Sequence, residues 1–148
     1  MEFKDCCMTG ERDLSKLLRH MTPQLQPGTF VFCTFPGGEL TGGLTPIATF
    51  HEAEGLTAIL ALDQAQRAGV PYQLESSLIT LTIHSSLEAV GFLAAVSAVL
   101  ARAGIPCNAM SAYYHDHLFV PREKAQRALE LLMATTAAPA QSPGQNQQ

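Results

Sequence analysis

Two short runs hold the residue types that could do chemistry: Ser85-Ser86-Leu87-Glu88, with Gly91 three positions further on, and His115-Asp116-His117. A serine followed three residues later by a glutamate has the spacing of a helix capping box. In that box Ser85 accepts from the Glu88 amide and Glu88 reaches back to the Ser85 amide. The same first turn has a second possible use, since amides at the positive end of a helix dipole hold carboxylates. Gly91, having no Cβ, would give such a ligand clearance. The two uses compete: an amide spent on the cap is not open to a ligand, and Glu88 repels an anion beside it.

In extended chain His115 and His117 point one way and Asp116 the other. The imidazoles could supply half of a metal site, with His84 or Cys107 as a third ligand, but no repeated Cys/His spacing enforces that convergence. Asp116 suits a turn, or a charge-assisted contact to a ligand's ammonium or guanidinium group. A nucleophilic set is also conceivable on residue types alone, with Ser85, Ser86 or Cys107 attacking, a histidine as base and Asp116 as orienter. No G-x-S-x-G elbow marks such a nucleophile, and the glycine pairs at 37 and 42 lack the Lys-Ser/Thr of a phosphate loop.

The elements that must position these residues are legible from periodicity. Leu78 to His84 alternates, with Ile79, Leu81 and Ile83 on one face, and predicts a half-buried strand. Ser85 to Ala103 predicts a long helix, closed by Gly104-Ile105-Pro106. On that helix Glu88, Gly91, Ala95, Ala98 and Arg102 form a small-residue stripe. Cys107 to Tyr114 and His117 to Val120 predict strands joined by a His115-Asp116 turn, and Pro121 opens a helix bearing Ala125, Ala128, Leu129 and Leu132 on one stripe. The order is β-α-β-β-α, the signature of an antiparallel sheet with helices on one face.

Upstream, Leu14, Leu17 and Leu18 predict a short helix stopped by Pro23. Thr29 to Phe35 predicts a strand, and Pro46 to Glu52 with Leu56 to Leu62 a hairpin. Asp63 is placed to cap a short helix over Gln64 to Ala68. The tetrapeptide Ala65-Gln66-Arg67-Ala68 recurs as Ala125-Gln126-Arg127-Ala128, each time after an apolar strand, which points to an internal duplication.

Composition narrows the classes of function. With 47% hydrophobic and 15% charged residues the chain has enough apolar surface to fold, which excludes general disorder. A formal charge of −4 offers no general attraction to phosphate backbones, so no nucleic-acid partner is expected. The apolar stretch from Ala89 to Ala103 is too short to span a bilayer, and Met1 to Asp5 lacks a secretory h-region. A cytoplasmic protein without membrane attachment is expected. Cys6, Cys7, Cys33 and Cys107 show no C-x-x-C spacing and are read as free thiols, and no metal or other cofactor is expected.

Three runs carry a resemblance to a known family. They are His84-Ser85-Ser86-Leu87-Glu88-Ala89-Val90-Gly91, Gly104-Ile105-Pro106-Cys107-Asn108, and Tyr113 to Pro121 (YYHDHLFVP). Together with Phe30 to Thr34 and Phe50 to Thr57, they resemble the small tandem ACT-domain proteins of bacteria. The second half is also similar to the ACT module of animal cytosolic arginine sensors. The resemblance implies an α+β fold of two ferredoxin-like ACT-type βα sandwiches. It gives an N-terminal ACT-like domain (11–75) and a C-terminal ACT domain (76–135), with a tail before them (1–10) and, after them, a polar tail with nothing to bury that is expected to be disordered (136–148). It further implies a free-standing regulatory sensor, not an enzyme, that binds a small ligand, an amino acid, at a domain or subunit interface. Its partners would be a second copy in a homodimer and a separate effector protein. The expected ligand-binding residues are Ser85, Ser86, Leu87, Gly91 and Asp116. The alternative is a structural interaction module in which Gly91 and the capping box serve packing alone.

Overall fold

A computed structural model describes residues 10–137. The elements are α1 (Leu14–His20), β1 (Pro23–Leu25), β2 (Phe30–Phe35), β3 (Ala48–Glu52), β4 (Gly55–Ala61), α2 (Leu62–Ala68), β5 (Gln73–Leu81), α3 (Phe92–Arg102), β6 (Asn108–Ser111), β7 (Asp116–Pro121) and α4 (Ala125–Ala137). A 3-10 turn, Arg122–Lys124, leads into α4.

The strands form a single seven-stranded sheet in the order β3-β4-β2-β5-β7-β6, and every pairing is antiparallel. β5 is the strand on which the two halves meet. One of its edges pairs with β7, and its other edge pairs first with β2 and then with β1. A register shift interrupts the β2–β5 ladder between Phe30 and Phe32, and opposite it Leu74 has a φ of 57°, as a residue absorbing a β-bulge would. The position 75/76, at which the sequence is divided above, falls inside β5.

Alternation along the strands builds two cores on the helix-covered side. Ile79, Leu81, Leu118 and Val120 pack against Phe92, Val96 and Leu100 of α3, Ala128 and Leu132 of α4, and Leu17 of α1. Val31, Cys33, Phe35, Ala58 and Leu60 pack with Ala65 of α2. The repeated tetrapeptide is explained by this arrangement. Ala65, midway along α2, and Ala125, the first residue of α4, are both buried on a helix that returns over its own half of the sheet, where a larger side chain would hold helix and sheet apart. The packing does not follow chain order, however. α1 comes first in sequence, yet Leu17 and Met21 lie in the core of the second half.

Several boundaries differ from the sequence-based expectation. The helix expected from Ser85 begins only at Phe92, so Val90 is not helical. The buried stripe of α3 is Phe92, Val96 and Leu100. Asp63 does not cap α2: Ala61 holds the cap position, and Asp63, within the first turn, pairs with Arg67 at 2.7 Å. Asp116 is the first residue of β7 rather than part of a turn, and Pro121 ends that strand instead of opening a helix. β1 has no counterpart in the expectation, because three residues beginning with a proline carry no periodicity. Thr136 and Ala137 complete α4. The remainder of the expected C-terminal tail, with Cys6 and Cys7, lies outside the described residues.

Candidate functional site

After β5 the chain turns through two close backbone contacts, Ile83 N to Leu81 O and Ser85 N to Ile83 O, both 2.9 Å. Ser85 then forms a parallel bridge with Glu11. Glu11 N donates to His84 O, and Ser86 N donates to Glu11 O, each at 2.9 Å. The Ser86 hydroxyl accepts from Glu88 N at 3.2 Å, and Ala89 N donates to Ser86 O. Gly91, with a φ of 90°, is the N-cap of α3 and offers no side-chain cap. The first intrahelical bond runs from Ala95 N to Gly91 O, which leaves the amides of Phe92, Leu93 and Ala94 ahead of it.

The expected capping box therefore does not form. The Ser85 hydroxyl, instead of accepting from Glu88, donates to Asp116 Oδ2 at 3.3 Å, and Glu88 pairs with Arg12. Gly91 supplies the physical reason for the late helix start: its left-handed conformation is the break between a folded loop and the first helical turn.

Asp116 stands opposite Leu81 of β5 and Ser111 of β6, on the helix side of the sheet. It is only 7% exposed. The Ser111 hydroxyl donates to Oδ1 while Ser85 donates to Oδ2, so both carboxylate oxygens are held by neutral donors. Among the described residues no cation pairs with it. Of the expected site residues, the fold thus brings Ser85 and Asp116 into contact. It places Ser86 and Leu87 on the loop beside them and Gly91 at the loop's far end. Leu87 and Val90 are 68% and 85% exposed. Sequence reasoning missed Ser111, whose one hint was its place on the strand preceding Asp116. It also missed Gly10 to Arg12, which lie far from the loop in sequence.

The nucleophilic set is not assembled. Adjacent strand residues face opposite sides, so His117 lies away from Asp116 and bonds Thr80 through Nδ1 at 3.0 Å. Burial lowers the His117 pKa below its usual 6.5; His115 reinforces the shift and Asp116 opposes it. The His115 and His117 rings are 6.5 Å apart, centre to centre. Among the described residues no group of three or more His, Cys, Asp or Glu converges as a metal site. Burial raises the pKa of the free thiols Cys33 and Cys107, which disfavours thiolate chemistry. On the helix-free side, Phe30, Leu78, Met110, His117 and Phe119 help to line a concavity of about 570 Å³.

Two βα halves on one antiparallel sheet, helices on one side and a glycine-opened helix after the central strand, define a tandem ACT-domain architecture. The ACT-domain family matches the chain over residues 9–77 and again over 73–134, and the chain belongs to that family. The two matches overlap within β5. The chain is similar to a Vibrio cholerae protein described as being of unknown function and a possible transport protein. The two share 47% identity over 83% of this chain and 95% of that one, with a TM-score of 0.72. An Agrobacterium tumefaciens protein shares the fold at 16% identity, covering 78% of this chain and 89% of that one, with a TM-score of 0.65. The ligand-free regulatory subunit of aspartate kinase from Thermus thermophilus does so at 12% identity, covering 80% and 97%, with a TM-score of 0.61. No curated protein matches the chain. The described residues contain no helix long and apolar enough to cross a membrane.

Proposed function

We propose that this ACT-domain protein is a cytoplasmic regulatory sensor that binds an amino acid between the Ser85–Gly91 loop and Asp116. The observation that carries the reading is the buried Asp116 carboxylate, fixed by the Ser85 and Ser111 hydroxyls with no cation partner among the described residues. A buried carboxylate lacking a counter-ion is a favourable acceptor for an ammonium group. The loop supplies the complementary half: amides at Ser86 and Leu87, and those opening α3, suit the ligand's carboxylate. Gly91 leaves the helix start clear. A zwitterion places opposite charges a few ångströms apart and so matches an anion beside a run of amides.

The exposed Leu87 and Val90 suggest that this end of the molecule is covered by another protein surface, most simply a second copy in a homodimer. An interface site would let the ligand favour one packing over another, as a sensor requires. NMR titration with L-amino acids tests the placement. The expected result is saturable shifts in the amides of Ser86, Leu87 and Phe92 together with Ser111. Saturable binding that moves other residues and leaves these unmoved would displace the site.

A further inference from the structure

Gly10 to Asp13 lies across the loop as a strap. If a Cβ were added to Gly10 it would fall 2.5 Å from Ser86 N and 2.6 Å from the Ser85 carbonyl carbon, both backbone atoms. No side chain fits there without lifting the segment. Glu11 is bound on both sides, its N–H to His84 O and its carbonyl to Ser86 N. The Glu11 carboxylate accepts from the amides of Arg12 and Asp13, both at 2.8 Å, and these bonds, the Asp13 amide foremost, hold its pKa below the ordinary value. Arg12 pairs with Glu88 across the loop. Asp13 accepts from Lys16 N and caps α1, whose Leu17 is fully buried, so the strap hangs from a fixed helix. Leu14 Cδ2 lies 3.4 Å from where a Cβ on Gly91 would be.

We infer that residues 10–13 are an internal competitor for the ligand site: the Glu11 carbonyl occupies the Ser86 amide that a ligand carboxylate would take, and binding releases the strap. The inference rests on the proposed amino-acid site and adds its regulation. Chemically the substitution is a like-for-like exchange, one carbonyl-type acceptor for another of greater negative charge. The strap's bonds are few and near the surface, in the range of local opening rather than global unfolding. α1 stays docked through Leu17 while Gly10 to Arg12 detach. The device supplies what a sensor needs, a segment whose two positions the ligand distinguishes.

The test uses the full chain, Gly10→Ala, and Arg12→Glu as a second variant that sets like charge against Glu88. Hydrogen exchange reads the strap directly, and calorimetric titration with the best-binding amino acid reads the competition. Both variants should exchange the Ser86 amide at least about five-fold faster, as expected for losing roughly one hydrogen bond. They should also bind the amino acid more tightly by a similar factor, because a larger fraction of molecules is already open. Unchanged Ser86 exchange in both variants would show that the contacts do not hold a closed strap. Faster exchange with wild-type affinity would overturn the competition while leaving the amino-acid site intact. Absence of binding by wild type and variants alike, with faster exchange, would remove the amino-acid site and the competition with it.

Discussion

At the scale of single residues, Asp116 and His117 are neighbours in β7 with opposite surroundings. Asp116→Asn keeps the shape and removes the charge; its oxygen still accepts from one serine hydroxyl, while its NH2 donates to the other. The site predicts at least a ten-fold loss of amino-acid affinity, about 1.4 kcal/mol, with a small change in melting temperature. Calorimetric titration beside a thermal melt separates the two effects. His117 gives a pH signature. Its folded pKa lies below 6.5, so as pH falls through that value the unfolded chain takes up a proton before the folded one does. Stability is therefore fullest above about pH 6.5 and declines as pH drops toward the folded value. Thermal melts from pH 7.5 to 5 should show a shallower decline in His117→Gln than in wild type; parallel curves would show that His117 titrates alike in both states. Ser85 and Asp116 stood out in the sequence because their types and spacing suit anion and cation recognition, whereas Ser111 did not. The actual bonding was not legible, since Ser85 had a local partner in Glu88 and a distant one in Asp116, and only the fold decides between them.

At the scale of elements, strands announced themselves through alternation and glycine-proline stops: β2, β4 and β7 are where that pattern places them, while β5, expected over Leu78 to His84, runs from Gln73 to Leu81. The start of α3 was hidden because the sequence offers two competing signals six residues apart, a serine-glutamate pair and a glycine. The glycine's backbone conformation prevails, and the serine is drawn off to Asp116. Gly55 shows the same principle in the β3–β4 hairpin. Its φ is 146°, and a Cβ would lie 2.5 Å from the Phe35 carbonyl oxygen. Gly55→Ala is accordingly expected to cost about 2 kcal/mol or more, combining backbone strain with a clash against main chain that cannot swing aside. Leu100→Ala on α3 is expected to cost about 2–5 kcal/mol, because Leu100 is fully buried in the larger core. Chemical denaturation checks both; a change under about 0.5 kcal/mol at either position would contradict the packing described.

At the scale of the whole molecule, duplication and family were legible in the sequence, through the repeated tetrapeptide and the motifs around Ser85 and Asp116. The exchange of material between the halves was not. Leu17 of α1 and Met21, which follows that helix, lie in the core of the second half, and the segment before α1 reaches the 84–86 loop. Such contacts link positions more than sixty residues apart, and no local pattern reports them. This crossing has a functional consequence, for it ties the beginning of the described chain to the end of the sheet where the ligand is proposed to bind. Family and fold establish an ACT regulatory architecture; whether a ligand drives it turns on binding. Isothermal titration of the folded full-length protein against each of the twenty amino acids tests this most directly. The account predicts saturable heat from one or a few of them, diminished at least ten-fold in affinity by Asp116→Asn. No heat from any of the twenty, or affinity indifferent to Asp116→Asn, would contradict it.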